Sequence, residues 1–119
     1  MQIIFDEKLV PELRQKYVVL ELDTVMQPQL SEPVTLYALI ENLDVNDIMT
    51  LNDRITQHQL AVDAYKQSNW AEAKSHAAAL KGSWKSEIDE FYDLVIAYSD
   101  DMLEKNATWD GIRHTSPVE

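Results

Sequence analysis

The sequence predicts an α+β fold, in which a short antiparallel sheet packs on a three-helix unit, and two observations predict it. Before about residue 46, apolar and polar residues alternate, which is the period of a half-buried strand. After that point apolar residues recur every three or four positions, which is the period of a helix facing a core. The 119 residues suffice for one domain with its own core.

Strands are expected in the first part of this domain. Residues 1–5 are predicted to form a short strand, and Pro11 suits the first position of a helical turn that continues through Tyr17, because the missing N–H is not needed there. Residues 17–25 and 34–41 alternate and are rich in β-branched side chains. We therefore predict an antiparallel hairpin, covered by the first strand, by a helix layer or by a second subunit.

Three helices are predicted between residues 46 and 105, each with one apolar stripe facing the core. The first stripe is Leu51, Ile55, His58, Val62 and Tyr65. The second stripe is Trp70, Ala73, Ala77, Leu80 and Trp84. The third stripe is Ile88, Phe91, Val95, Tyr98 and Met102.

Each predicted helix begins with a capping pattern. Thr50, Asn69 and Ser86 are each followed three positions later by an acid, which is the arrangement of a capping box. Gly82 lies where the second helix should end, and a left-handed residue is least costly at a glycine. These signals divide the helical part into three.

The segment 106–119 has no helical stripe and is expected to be a tail outside the domain at 1–105. It contains Trp109 in otherwise polar surroundings, so it forms either a strap or a loose end. An amphipathic anchor of this kind docks on its own domain or on a neighbouring subunit, and the sequence leaves both alternatives open.

Motifs for catalysis, cofactors and metals are not found. The chain has no cysteine, its glycines are too few and too scattered for a phosphate loop, and no serine lies in a nucleophile elbow. The three histidines lack metal-ligand spacing, and His58, on an apolar stripe, is expected to be a hydrogen-bonded core residue. We predict no catalytic residue, no cofactor and no metal site.

The formal charge of −11 limits the partners that the chain can bind. It repels nucleic-acid phosphate and anionic lipid, so neither direct nucleic-acid binding nor membrane binding is expected. The first 17 residues carry six charged side chains and hold no apolar run of signal-peptide length. A cytoplasmic protein is therefore expected.

The stretch from Glu87 to Glu104 gathers acids without a single lysine or arginine. Its candidate partner surface consists of Glu90, Asp93, Asp100, Asp101 and Glu104. A solvated acidic face is the commonest meaning of such a pattern. The functional alternatives are a surface for a basic partner, weak binding of a divalent cation, and mimicry of nucleic-acid charge.

The run from Tyr65 through Trp70 to Ala73 makes residues 51–81 resemble a single helical hairpin of the tetratricopeptide type, although one spacing differs by a residue. The same run is similar to the helical extension that follows the catalytic domain of some bacterial nucleotide cyclases, which implies packing and no activity. The start of the chain and residues 84–92 resemble small acidic proteins of tailed phages of marine cyanobacteria. That resemblance implies a viral or marine-microbial origin, with the host cytoplasm as location, and supplies no activity.

The expected function is a non-enzymatic interaction or structural module that self-associates, as a dimer. The third helix and the hairpin present more apolar surface than three helices readily bury, so the third stripe, with Trp109, is the candidate self-interface. The first alternative is an acidic inhibitor or mimic that binds a basic host protein, such as one that handles nucleic acid. The second is a small enzyme of unrecognised type, which requires a pocket with convergent polar groups.

Overall fold

A sheet and three long helices form the two layers of the fold, which the computed structural model describes for residues 2–27, 31–41, 50–84 and 86–114. The strands are β1 (Gln2–Ile4), β2 (Val18–Met26), β3 (Val34–Ile40) and β4 (Arg113–His114). The helices are α1 (Val10–Leu13), which follows a 3₁₀ turn (Glu7–Leu9), then α2 (Leu51–Lys66), α3 (Trp70–Leu80) and α4 (Asp89–Lys105). The predicted α+β class is confirmed.

The strand order in the sheet is β1-β3-β2-β4. The predicted hairpin is confirmed, because β2 and β3 pair antiparallel, and β1 covers the other edge of β3. The strand β4 was not predicted, and it pairs in parallel with the last two residues of β2. Two residues are too few to show the alternation of apolar and polar side chains that predicts a strand, so the sequence gives no sign of β4.

A β-bulge interrupts β2 between Glu21 and Thr24. At this point Leu22 and Asp23 lie opposite the single residue Leu36 of β3. Burial in β2 does not follow the predicted alternation, because Val19 and Leu20 are both buried before the bulge. Within the bulge Leu22 and Asp23 are both buried, and Asp23 is a carboxylate that the fold must pair.

The helix α1 is shorter than predicted. It begins at Val10, with Pro11 in its first turn, and ends at Leu13. Hydrogen bonds from the amides of Lys16 and Tyr17 to the carbonyl of Leu13, at 3.1 and 2.8 Å, continue the chain as turns. These turns place residues 14–17 directly before β2.

The core lies between the sheet and the three long helices. In α3 the side chains of Ala73 and Ala77 are fully buried, which lets its neighbours approach closely. Most residues of the apolar stripes predicted for the helices are core, but Ile55 is exposed, and Trp84 lies in the turn after α3 and not in the helix. The stripe residues at most 8% exposed are His58, Val62, Tyr65, Trp70, Ala73, Ala77, Leu80, Trp84, Ile88, Val95 and Met102.

Thr50 and Asn69 are the N-cap residues of α2 and α3, as predicted, but neither makes the side-chain hydrogen bond of a capping box. The helix start predicted at Ser86 is wrong. Ser86 has a positive φ of 64°, which is incompatible with the extended backbone of an N-cap, so α4 begins three residues later, at Asp89. The carboxylate of Asp89 instead accepts a hydrogen bond of 2.8 Å from the amide of Gly82, whose φ of +84° ends α3 as predicted.

The tail folds back across the domain as a strap. Its carbonyl at Ala107 accepts a 2.8 Å hydrogen bond from Trp70 Nε1, and Trp109 Nε1 donates to the carbonyl of Tyr65 at 2.9 Å. Arg113 then pairs with Asp23 at the bulge. The sequence predicts either a strap or a loose end, and residues 107–114 form a strap.

Candidate interaction groove

An open groove separates α2 from the turn between α1 and β2, and its volume is about 1260 Å³. One wall is formed by residues 14–21, which are the α1–β2 turn and the first half of β2. The opposite wall is formed by α2, which contributes Leu51, Ile55, Gln59 and Leu60. Ile40 and Glu41, at the end of β3, also line the groove.

Three of the six large apolar side chains that are exposed in the described part of the chain line this groove. Tyr17, Ile55 and Leu60 are exposed by 43%, 36% and 48%, and all three line it. In the described part of the chain the other large apolar side chains with comparable exposure are Phe5, Leu9 and Leu103, which lie elsewhere. A cluster of exposed apolar groups around a concave surface is typical of an interaction site.

His58 lies at the back of the groove and is fully buried. Its Nε2 is bonded to the carbonyl oxygen of Glu21, which can only accept, so Nε2 carries the proton. Its Nδ1 lies 2.8 Å from the hydroxyl of Tyr92, and that hydroxyl in turn accepts from Trp84 Nε1 at 3.1 Å. Every polar group in this chain of hydrogen bonds is satisfied when the imidazole is neutral.

Burial lowers the pKa of His58, and the nearby carbonyl and carboxylate of Glu21 only partly oppose that effect. Burial also raises the pKa of Tyr92. Both groups are therefore neutral at physiological pH, and neither ring nitrogen of His58 is free to act as a base or a metal ligand. The prediction that His58 is a hydrogen-bonded core histidine is confirmed.

The carboxylate of Glu21 closes one end of the groove. It pairs with Lys66 and accepts a 3.0 Å hydrogen bond from Gln59, while Lys66 also donates to Thr24 at 2.9 Å. Burial by itself raises the pKa of Glu21, but the hydrogen bonds from Lys66 and Gln59 and the charge of Lys66 outweigh it and lower that pKa. The network fixes the C-terminal half of α2 to β2.

A second polar group lies at the bulge, under the strap. Asp23, which is 3% exposed, pairs with Arg113 and accepts from the hydroxyl of Tyr65 at 3.3 Å. Burial raises the pKa of Tyr65, and the charge of Asp23 raises it further. These residues hold the strap to the sheet and present no free reactive group.

The predicted self-interface residues lie mostly inside the chain's own core. Ile88, Val95 and Met102 are 1%, 0% and 8% exposed. Phe91 and Tyr98 are half-buried beneath the ring of Tyr65, at centroid distances of 6.2 and 5.9 Å. The stripe thus packs the domain itself, and little of its surface is left for a second copy.

Trp109 docks on its own domain. Its ring lies 4.9 Å from that of Tyr65, 5.6 Å from that of Trp70 and 4.8 Å from that of Tyr98. The side chain is half-buried in this aromatic cluster. The sequence leaves open whether Trp109 docks on its own domain or on a neighbouring subunit, and in the structure it docks on its own domain.

The acidic surface of α4 is exposed and partly neutralised. Lys74 pairs with Asp100 at 2.6 Å, and Lys81 pairs with Asp93 at 2.6 Å, so two lysines of the α3 region reach across to α4. Lys105 pairs with Asp101 at 2.9 Å within the last turn. Glu90 and Glu104, also exposed, have no ion pair within the described ranges.

Metal-binding and membrane-spanning features are not found in the described part of the chain. No group of three or more potential ligand side chains lies close enough to hold a metal ion there. Among the helices of that part, none has the length and apolar character needed to cross a membrane.

Comparison of the chain with protein-family models, with curated proteins and with solved structures finds no match.

Sequence reasoning missed the groove. Tyr17 was assigned to the start of a strand, and Leu60 lies off the apolar stripe of its helix. An apolar residue on the polar side of an amphipathic helix is the signal that was available for Leu60. The wall formed by residues 14–21 has no local sequence signal, because it depends on how the α1–β2 turn lies relative to α2.

Proposed function

We propose that this chain is a non-enzymatic interaction module that self-associates through the groove between α2 and residues 14–21. The observation that carries the proposal is the convergence of Tyr17, Ile55 and Leu60, all exposed, on one concave surface. The third stripe does not support self-association, since its residues are largely occupied within the domain.

The polar groups near the groove support a binding role over a catalytic one. Both ring nitrogens of His58 are occupied, and Glu21 is held by Lys66 and Gln59. A general base or nucleophile needs a lone pair that a substrate can reach. The groove offers exposed apolar side chains in its place.

The experiment is the mass in solution, measured by light scattering coupled to size exclusion over a wide range of protein concentration. We expect a monomer at low concentration and a dimer at high concentration. Leu60→Lys places a charge in the groove, and we expect it to weaken the dimer by about tenfold or more, which is about 1.4 kcal/mol.

Leu103→Lys is the matched control. Leu60 and Leu103 are both exposed by 48%, and both lie on helices, but Leu103 is on α4, away from the groove. This control should dimerise like the unaltered chain. A mass that stays monomeric at every concentration, or equal weakening by the two substitutions, contradicts the proposal.

A further inference from the structure

The strap contains the dipeptide Asp110-Gly111, which is the one aspartyl-glycine pair in the chain. The amide nitrogen that follows an aspartate can attack the carboxyl group of that aspartate. Glycine hinders this approach least, because it has no Cβ. The other glycine, Gly82, follows a lysine and offers no such reaction.

The side chain of Asp110 is exposed and folds over its own backbone. Its Oδ1 accepts a 3.1 Å hydrogen bond from the amide of Ile112, which makes an Asx turn. The ring that this hydrogen bond closes includes the amide of Gly111, so the carboxyl group is held beside the nitrogen that attacks it. In the described ranges no backbone acceptor is bonded to that N–H.

Two anchors hold the strap, one on each side of this dipeptide. On one side Trp109 donates its amide to Ser68 Oγ at 3.0 Å and its indole N–H to the carbonyl of Tyr65 at 2.9 Å. On the other side Arg113 pairs with Asp23. The residues between the anchors therefore span a fixed distance.

The backbone between the anchors lies tightly against α2. Gly111 is buried with a φ of +84°, and a Cβ at this position would lie 3.1 Å from the carbonyl oxygen of Lys66. Two residues later Arg113 begins β4, in register with Val25. An additional backbone atom just before Gly111 would displace either Gly111 from Lys66 or Arg113 from its register.

We propose that Asp110 is a site of spontaneous isomerisation to isoaspartate and that this modification opens the strap. In the first step the amide nitrogen of Gly111 attacks Cγ of the protonated Asp110 carboxyl group. A C–N bond forms and a C–O bond breaks, and the hydroxyl group leaves with the amide proton as water. The product is a succinimide ring.

Hydrolysis opens the succinimide in either of two ways. Water that adds at Cγ restores aspartate. Water that adds at the main-chain carbonyl carbon breaks the bond from that carbon to the Gly111 nitrogen and gives isoaspartate, in which the chain continues through Cγ. One water leaves and one enters, so the mass is unchanged and no oxidant or reductant is needed.

The isomerisation changes the length of the strap between its anchors. Isoaspartate adds one atom to the main chain, so Trp109 and Arg113 no longer both keep their partners while Gly111 stays against Lys66. The pairing of β4 is only two residues long, so Arg113 is the anchor that leaves. The strap then opens without a change in the number of charged groups.

Incubation of the unaltered chain for weeks at neutral pH and physiological temperature tests the modification. Electron-transfer mass spectrometry of a proteolytic digest distinguishes the two isomers, which have equal mass. We expect isoaspartate to accumulate at position 110 faster than at every other aspartate. A digest in which residue 110 remains aspartate overturns the proposal, whether or not other positions convert.

Asp110→Glu is the matched control. It keeps the charge and the carboxyl group, but attack on the longer side chain requires a larger ring, so we expect no isomerisation at this position. Equal isomer formation at position 110 in this variant and in the unaltered chain contradicts the succinimide route.

Hydrogen exchange of the Trp109 indole N–H, measured by NMR on the separated isoaspartyl chain, tests the opening. We expect this exchange to be about tenfold faster or more than in the unmodified chain, because the N–H loses the protection of the docked strap. The indole N–H of Trp84, which is bonded to Tyr92 in the core, should exchange at an unchanged rate. Isoaspartate at position 110 with unchanged exchange at Trp109 contradicts the opening of the strap.

Discussion

The hydrogen bonds around His58 determine which atom of each pair carries the proton. The carbonyl of Glu21 fixes the proton on Nε2, so the hydroxyl of Tyr92 must donate to Nδ1, and Trp84 must donate to that hydroxyl. Protonation of Nδ1 would force the hydroxyl of Tyr92 to turn its own proton away, so the present hydrogen bond to Nδ1 would be lost in a buried site. The neutral imidazole is thus part of the folded structure.

This arrangement predicts a loss of stability in mild acid. The pKa of His58 is lowered in the folded chain, whereas in the unfolded chain it is about 6.5. The unfolded chain therefore takes up the proton first, so the contribution of His58 is complete above about pH 6.5 and is lost as pH falls through the folded pKa. The measurement is the free energy of unfolding in urea at several pH values.

His58→Gln provides the comparison. We expect the difference in unfolding free energy between the unaltered chain and this variant to shrink as the pH falls below about 6.5, since all other titrating groups are common to both. A difference that does not change with pH would show that His58 does not control this part of the acid response.

At the scale of elements, the bulge in β2 and the strap depend on each other. The bulge buries the carboxylate of Asp23, and Arg113 of the strap supplies the charge that pairs with it. A buried carboxylate without its cation is costly, because the charge keeps the desolvation penalty and loses the attraction. The strap therefore contributes to stability mainly through this pair and through the ring of Trp109.

We expect Arg113→Ala to lower the free energy of unfolding by about 1–3 kcal/mol, since it leaves Asp23 unpaired in a buried site. The control is Lys105→Ala, which removes an exposed pair with Asp101 and should leave the free energy of unfolding nearly unchanged. Urea denaturation measures both. In the background of Asp23→Asn the cost of Arg113→Ala should fall, and an unchanged cost would refute the coupling.

How well the sequence predicted each element depended on where its signal lay. The hairpin and the three long helices were predicted because their apolar periods extend over many residues. The start of α4 was misplaced because Ser86 adopts a left-handed backbone, which no cap pattern reveals. The strand β4 and the groove depend on contacts between residues far apart in the chain, such as Arg113 with Asp23, and local pattern does not encode such contacts.

At the scale of the whole molecule, net charge opposes the proposed dimer. Each copy carries a formal charge of −11, and only a few local pairs on α4 are neutralised by lysines. Two such chains repel each other over a distance set by the Debye length, which is about 30 Å at 0.01 M salt and about 10 Å at 0.1 M. Added salt therefore removes repulsion between the copies more effectively than it weakens contacts inside the groove.

We expect the dimer to tighten when the ionic strength rises from about 0.01 M to about 0.1 M. Sedimentation equilibrium at the two salt concentrations measures the change in dissociation constant. The acidic face of α4 bound to a basic partner would show the opposite dependence, because screening weakens attraction between unlike charges. A homodimer that loosens as salt is added would contradict an apolar interface in the groove.

The strap also gives folding an order in time. Arg113 and Asp23 are 90 residues apart along the chain, and closing a loop of that length costs entropy that is recovered only when both ends have surfaces to meet. Those surfaces are the bulge and the aromatic cluster, which form only once the hairpin and the helices have docked. We therefore expect the strap to be the last part of the described fold to form and the first to open.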